Sequence, residues 1–337
     1  MHQSTFQKIA LLATSLALFV VILGAYVRLS DAGLGCPDWP GCYGHFTVPQ
    51  ADHHVAAANE AYPERPVEAH KAWKEMAHRY FASALGLLIV ILAVIAWRNK
   101  KVPGQQYRLP IFLVALVIFQ GMLGMWTVTI KLNPTIVMSH LIGGMTTLSL
   151  LWWLSLRQSK IFVAHSSYPT QLKPFTSIAF IGLIIVAFQI MLGGWTSANY
   201  AALVCADFPT CQGYLIPPTD FKEAFNLWRG TEINFEGGVL DNTARVTIHF
   251  FHRIGALVTF LFVGWLGLKL IFGSEVPMLR TLGRILLFVL VLQVSLGIAN
   301  VLLSLPLLVA VAHNGVGALL LLTLVAVNHA VRPTSQI

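Results

Sequence analysis

Long apolar segments alternate with short polar connections along the whole chain. Eight of these segments reach the roughly 20 residues that an α-helix needs to cross the hydrocarbon core of a bilayer. The pattern predicts an all-α polytopic membrane protein with transmembrane helices near 8–29, 72–97, 109–131, 135–157, 174–197, 243–271, 280–303 and 306–330. The sequence of residues 51–60 also predicts a short amphipathic helix that lies on the membrane.

Polar residues in and between these segments repeat once along the chain. The heptapeptide Cys-Pro-Asp-Trp-Pro-Gly-Cys at 36–42 returns 169 positions later as Cys-Ala-Asp-Phe-Pro-Thr-Cys at 205–211. Shifts of 173 or 174 positions also pair His78-Arg79 with His252-Arg253, Gln120 with Gln293, Gly124 with Gly297, and His140 with His313. Apolar segments resemble each other by chance, but polar residues held in one frame do not. We therefore expect two fused four-helix bundles, 1–160 and 174–330, related by an approximate two-fold axis along the membrane normal.

Composition and charge fit this topology. Only 11% of the residues are charged and mean hydropathy is +0.70, which excludes an ordinary soluble domain. If the N-terminus is cytoplasmic, the inside connections are rich in Lys and Arg and contain one acidic residue, Glu275. Both termini are then cytoplasmic, and the long loops 30–71 and 198–242 lie outside. This asymmetry explains the net charge of +8 without a nucleic-acid partner.

All four cysteines lie in the two outer loops, two per loop. The oxidising compartment and the even, paired spacing predict disulfides Cys36–Cys42 and Cys205–Cys211. We expect these bonds to staple the loops. A redox role for the first pair remains an alternative, because it lies next to the candidate reactive site.

Besides His249, one turn before His252, and His329, at the end of the last helix, four of the twelve histidines fall inside predicted transmembrane helices: His78, His140, His252 and His313. Ionisable groups there are costly and usually functional. Each lies six to ten residues into a helix that runs inward, so all four share a layer about 9–15 Å below the outer helix ends. His78 can face His140, and His252 can face His313. Two facing imidazoles are suited to axial coordination of a haem iron. Copper or zinc would need further ligands that neither half supplies.

A haem in either pocket would need cations for its propionate groups. Arg79 and Arg253 adjoin the histidines, and Arg28 lies at the outer boundary. The halves also differ, because Glu75 precedes His78 by three residues where the second half has His249. This difference favours one reactive pocket and one electron-transfer pocket. The alternative is that Glu75 only reaches water or pairs with a neighbouring cation.

Three segments, GAYVRLS at 24–30, GLGCPDWP at 33–40 and EMAHR at 75–79, resemble haem A synthases of bacteria and mitochondria. The resemblance extends to the other three membrane histidines and thus from the first helix to the last. The first outer loop is longer than in the simplest bacterial members, so its role stays open.

The resemblance implies an oxidoreductase of the bacterial inner membrane that converts a methyl group of haem O into the formyl group of haem A, for cytochrome oxidase. It implies that His252 and His313 ligate a resident haem b. His78 and His140 would flank the substrate haem, and Glu75 would be the catalytic carboxylate.

Other functions are compatible with the same residues. A di-haem b electron-transfer protein would have two equivalent pockets, and a haem carrier would bind haem without oxidising it. Besides haem O and the lipid bilayer, the expected partners are a haem O synthase and cytochrome oxidase assembly factors. The sequence does not identify the electron acceptor.

Overall fold

The computed structural model describes residues 2–158 and 169–332, and within these ranges the chain forms ten α-helices and no β-strand. The helices are α1 (His2–Leu29), α2 (Asp52–Ala61), α3 (Ala69–Arg98), α4 (Arg108–Thr129), α5 (Pro134–Arg157), α6 (Pro169–Ala198), α7 (Phe221–Ala224), α8 (Asn242–Phe272), α9 (Pro277–Leu302) and α10 (Leu307–Ala330).

Eight of the described helices, all except α2 and α7, are long and apolar enough to span a membrane. The predicted all-α class with eight transmembrane helices is confirmed, with ends that differ by a few residues from those expected. The predicted surface helix is α2. The predicted end of the first half, at residue 160, lies outside the described residues.

The transmembrane helices pack as two rings of four. In the first ring, α1 and α4 each pack against both α3 and α5. In the second ring, α6 and α9 each pack against both α8 and α10. Helices α3 and α5 therefore stand diagonally opposite each other, and so do α8 and α10. These four helices carry the membrane histidines.

The two rings meet through α1 with α10, α5 with α6, and α5 with α10. If each helix is exchanged for its counterpart in the other repeat, α1 for α6 and α5 for α10, the same three contacts result. This is compatible with the predicted two-fold relation. At the outer end of this interface, Arg28 Nη2 donates to the carbonyl oxygen of Ser197 at 2.8 Å. Positions 28 and 197 are counterparts under the shift of 169, so the bond crosses near the expected axis.

Helix α10 is the most enclosed of the eight. Half of its most apolar 18-residue window is buried, against 22–28% in the other seven. Its buried small residues Ala310, Gly315, Gly317 and Ala318 allow neighbouring backbones to approach closely. The remaining helices present large apolar side chains outward, as expected where the solvent is lipid.

Tight outer turns join α4 to α5 and α9 to α10. Lys131 and Leu132 adopt positive φ angles of 44° and 60°, and their counterparts Ser304 and Leu305 adopt 57° and 61°. The repeat therefore includes the backbone conformation of this turn, although Lys131 and Ser304 differ.

The second outer loop crosses onto the first bundle, which the sequence did not predict. Phe235 is 1% exposed and packs in a cluster that includes Leu34 and Leu132. Beside it, Arg65 Nη2 lies 2.9 Å from Glu236 Oε2. Part of the C-terminal half thus covers the outer end of the N-terminal ring.

Candidate functional site

The four membrane histidines occupy matched places on diagonally opposed helices. His140 and His313 each lie six residues after the first residue of α5 and α10. His78 lies nine residues into α3, and His252 lies ten residues into α8. Each ring of helices therefore carries one imidazole on either side of its centre, in the third of the bundle nearest the disulfide loops. The pairs are those the sequence predicted, His78 with His140 and His252 with His313.

A glycine on the neighbouring helix faces each imidazole. A methyl group added at Gly24 would lie 3.0 Å from Cε1 of His78, and one at Gly124 would lie 3.5 Å from Cε1 of His140. In the second ring, the corresponding distances are 3.1 Å from Gly193 to His252 and 3.0 Å from Gly297 to His313. All four imidazoles thus pack against helix backbone at a glycine. At three of the four positions, the side chain of a larger residue would press on the imidazole.

A matched pair of glutamines also lines the two pockets. Gln293 Nε2 lies 3.4 Å from His313 Nε2. Gln120 is buried at the equivalent place, and a methyl group added at Gly143 would overlap its amide. Gln120 Nε2 and Gln293 Oε1 are buried without a hydrogen-bond partner, and an unpaired amide in an apolar surrounding is costly.

Glu75 joins the first pocket to the first disulfide loop. Its side chain is 5% exposed, and Oε2 accepts from the backbone N–H of Cys36 at 2.9 Å. Oε1 accepts from Arg79 Nη2 at 2.5 Å. The other terminal nitrogen of Arg79 donates to loop carbonyls, at 3.1 Å to Asp38 and 2.5 Å to Gly41. Glu75 is therefore a buried, paired carboxylate with a fixed position, three residues before His78.

The second pocket keeps the arginine and replaces the carboxylate. Arg253 donates through Nη1 to Thr210 O at 2.7 Å and through Nη2 to Cys205 O at 2.8 Å. Its Nε donates to His249 Nε2 at 3.2 Å. His249 is 4% exposed and stands where Glu75 stands in the first half. The two sites share one architecture, and at this position the first has an acid where the second has a histidine.

The arginines predicted to bind propionate groups are engaged with protein carbonyls. Arg79 and Arg253 tie helix to loop, as described above. Arg28 bonds to Ser197 and lies 4.2 Å from the ring centroid of Tyr200. Their role towards propionates stays a prediction, and their visible role is to hold the outer loops on the bundles.

Both predicted disulfides, Cys36–Cys42 and Cys205–Cys211, are present. Each closes a hairpin around an aspartate that accepts backbone N–H groups, Asp38 in the first loop and Asp207 in the second. The pKa of Asp207 is lowered by hydrogen bonds from the Thr210 hydroxyl and from backbone N–H groups. The hairpins are rigid supports for the carbonyl groups that the two arginines bind.

One residue near the second pocket was not identified from the sequence. Gln189 on α6 lies 3.0 Å from His252 Nδ1 and 3.0 Å from the carbonyl oxygen of His252, through Nε2. A polar side chain in the middle of an apolar span is itself a signal of function. It was missed because it has no polar counterpart in the first half.

The arrangement fits a flat, apolar group held between two rings. Facing imidazoles supply nitrogen ligands on both sides, and the glycines leave room for each ring against its neighbouring helix. Within the described residues, no cluster of three or more His, Cys, Asp or Glu forms a separate metal site. The chemistry that distinguishes the halves is the buried carboxylate of the first.

Comparison with known proteins gives a consistent result. Residues 7–325 match the family model described as cytochrome oxidase assembly protein. A haem A synthase of Shewanella oneidensis is 48% identical over 312 residues, covering 93% of this chain and 92% of that protein. A haem A synthase of Halalkalibacterium halodurans is 29% identical and covers 96% of both chains. One of Allorhizobium ampelinum is 29% identical, over 91% of this chain and 85% of its own.

Proposed function

The chain belongs to the haem A synthase family of cytochrome oxidase assembly proteins, and on that premise we propose that its first bundle oxidises a methyl group of haem O to the formyl group of haem A. An oxidoreductase of haem A biosynthesis in a multi-pass membrane protein agrees with the family and with the eight apolar helices. The residues that carry the reaction are inferred from the geometry of the two pockets.

The observation that carries the proposal is the difference between the pockets. Both have two opposed imidazoles, a glycine packed against each imidazole, and an arginine that donates to carbonyl groups of a disulfide loop. Only the first has a buried carboxylate, Glu75, where the second has His249. Two haem sites built for electron transfer alone would not need this difference. A pocket that removes protons and electrons from its substrate does.

In this proposal His78 and His140 flank the substrate haem, and His252 and His313 hold a resident haem b. Bound there, haem b supplies a one-electron redox centre close to the first bundle. The four imidazoles fit this division, since neutral histidine nitrogens are common axial ligands of haem iron. Arg79, Arg253 and Arg28 would lie at the propionate side, towards the outer surface.

Oxidation of a methyl to a formyl group proceeds in two-electron steps. The first hydroxylation gives an alcohol, and the second gives a geminal diol that loses water to leave the aldehyde. With water as the source of oxygen, each hydroxylation releases two protons and two electrons and builds positive charge at the reacting carbon. The four electrons would go to a one-electron acceptor outside the protein, by way of the haem b site. Glu75 is a fixed carboxylate that can accept a proton or offset this charge. Arg79 and the Cys36 N–H hold its two oxygens, so that it does not swing away towards water.

The test is Glu75→Gln, followed by extraction and chromatography of the bound haems. The amide keeps the size of the side chain but can neither accept the proton nor offset positive charge. Arg79 keeps its loop carbonyls, so the fold and the haem b of the second pocket should remain. We expect haem A formation to fall by about 10²- to 10⁴-fold, with haem O or the alcohol accumulating.

The matched control is His249→Gln, at the same place in the second half, which should reduce haem A formation far less. Normal haem A formation by Glu75→Gln would show that the carboxylate is only a partner of Arg79. Two haem b per chain, with no haem O or haem A in the unmodified protein, would instead favour a di-haem electron-transfer protein.

The remaining proposals concern surroundings. The substrate would come from a haem O synthase, and the product would pass to cytochrome oxidase assembly factors. The setting is the bacterial inner membrane, with both termini cytoplasmic and both disulfide loops outside. Cysteine labelling with a membrane-impermeant reagent after reduction would test the side on which the loops lie.

A further inference from the structure

The two imidazoles that face α1 and α6 have different surroundings. Gln189 places its amide nitrogen 3.0 Å from Nδ1 of His252 and also donates to the backbone carbonyl of that residue. Nδ1 of His78, by contrast, is buried without a hydrogen-bond partner. The matched histidines thus differ at Nδ1. Because Nδ1 of His140 and of His313 is also buried without a partner, His252 is the one of the four whose Nδ1 has a hydrogen-bond partner.

The difference involves two positions rather than one. The shift of 169 places Val20 where the second half has Gln189, and the shift of 174 places Phe81 where it has Gly255. A methyl group added at Gly255 would overlap Gln189 Oε1, so the glycine makes room for the amide. In the first half, Phe81 instead packs edge-on against Phe19, with centroids 4.9 Å apart. An amide and a glycine in one half therefore stand where the other half has two apolar side chains, Val20 and Phe81.

We propose that Gln189, accommodated by Gly255, is a positioning residue that makes the second pocket a permanent haem site, while the unpartnered His78 leaves the first pocket able to exchange its haem. This inference rests on the proposed function, which requires one resident haem and one haem that enters as substrate and leaves as product. The repeat provides the same scaffold twice, and the residues at positions 189 and 255 distinguish the resident haem site from the substrate haem site.

The physical basis is the tautomer of the imidazole. A histidine that binds iron through Nε2 carries its proton on Nδ1, and an acceptor for that proton fixes the ring and strengthens the ligand. In the structure the amide nitrogen of Gln189 faces Nδ1, and its Oε1 is buried without a partner. Turning the amide over about its last torsion brings Oε1 to the protonated Nδ1, in exchange for the bond from Nε2 to the His252 carbonyl. The valine at the matching place in the first half offers no acceptor. His78 is therefore the weaker and more easily displaced ligand.

The experiment compares Gln189→Val with Gln189→Glu in the full-length protein. Gln189→Val installs the side chain that the first half already tolerates. It should raise the midpoint potential of haem b and speed haem transfer to apomyoglobin by about 10- to 100-fold. Gln189→Glu keeps an acceptor and adds charge, so it should lower the potential below that of the unmodified protein. A purely structural role would not shift the potential in opposite directions.

Phe188→Leu is the control, because the side chain of this neighbouring residue is 54% exposed on the surface of α6. It should leave both the potential and the transfer rate unchanged. An unaltered potential and transfer rate in Gln189→Val would overturn the inference. A different result, in which His252→Ala leaves the haem b spectrum intact, would overturn the haem placement in the proposed function instead.

Discussion

Replacing the glycines that face the histidine rings by alanine should distinguish closely packed positions from loosely packed ones. Gly193→Ala and Gly297→Ala would bring a methyl group to 3.1 Å and 3.0 Å from the imidazoles of His252 and His313. Gly124→Ala would bring one to 3.5 Å from His140, which is ordinary van der Waals contact. The same chemical change therefore has different consequences at matched places.

The expected loss of stability follows from how far each distance falls short of ordinary van der Waals contact. Ordinary contact begins near 3.4 Å, so the rings of His252 and His313 must move by about 0.3–0.4 Å. A movement of this size exceeds the roughly ±0.2 Å within which metal–ligand distances are expected to fall, so the axial bond should weaken. Overpacking costs about 1–3 kcal/mol. Alanine regains about 1 kcal/mol of helix propensity over glycine, which leaves a net loss of roughly 0–2 kcal/mol.

The assay is haem b content per chain, measured by pyridine haemochrome, together with the visible spectrum and the thermal unfolding midpoint. Gly193→Ala and Gly297→Ala should lose haem b or show a changed low-spin spectrum, with a modest loss of stability. Gly264→Ala is the control within α8, because its methyl group would meet only Leu290 at 3.8 Å. Gly124→Ala should behave like the control. Full haem content and an unchanged spectrum in both tight variants would refute the reasoning.

Two further predictions test the second pocket and the loop that crosses between the halves. His252→Ala and His313→Ala should each abolish the low-spin haem b spectrum, because each removes one of two axial bonds; a normal spectrum in both variants would show that the pocket is wrongly assigned. Phe235→Ala should lower the free energy of unfolding by roughly 3–5 kcal/mol, since the ring is fully buried, whereas Phe46→Ala, where the ring is 88% exposed, should change it little. Thermal or denaturant unfolding in detergent measures both, and equal effects would show that the second loop does not pack as described.

Much of the candidate site could be predicted because membrane helices leave a direct record in sequence. A span must be about 20 apolar residues long, so its ends fix the depth of every residue within it. The span ends therefore suffice to place His140 and His313 in one layer, and the duplication identifies these two residues as counterparts in the two halves. Close cysteine spacing likewise predicted both disulfides, since six residues of separation make local closure easy.

What the sequence left undecided concerns contacts between distant segments. The two interpretations of Glu75, a catalytic carboxylate or a partner of Arg79, were equally compatible with its place on the helix face. The structure adds the pairing with Arg79 and the bond from the Cys36 N–H, which fix the carboxylate without by themselves deciding its chemistry. Periodicity gives the face of a helix, but not which loop comes to rest on it.

By itself, the sequence determined the number of spans, the duplication, the histidine layer and the disulfides, because each depends on local length, spacing or composition. The tertiary structure alone decided that Phe235 crosses to the other half and that Gln189 reaches His252. These contacts depend on the rotation of each helix about its axis and on the path of long loops. Lipid constrains the length and polarity of a helix far more strongly than its rotation or its neighbours, so packing between side chains makes that choice.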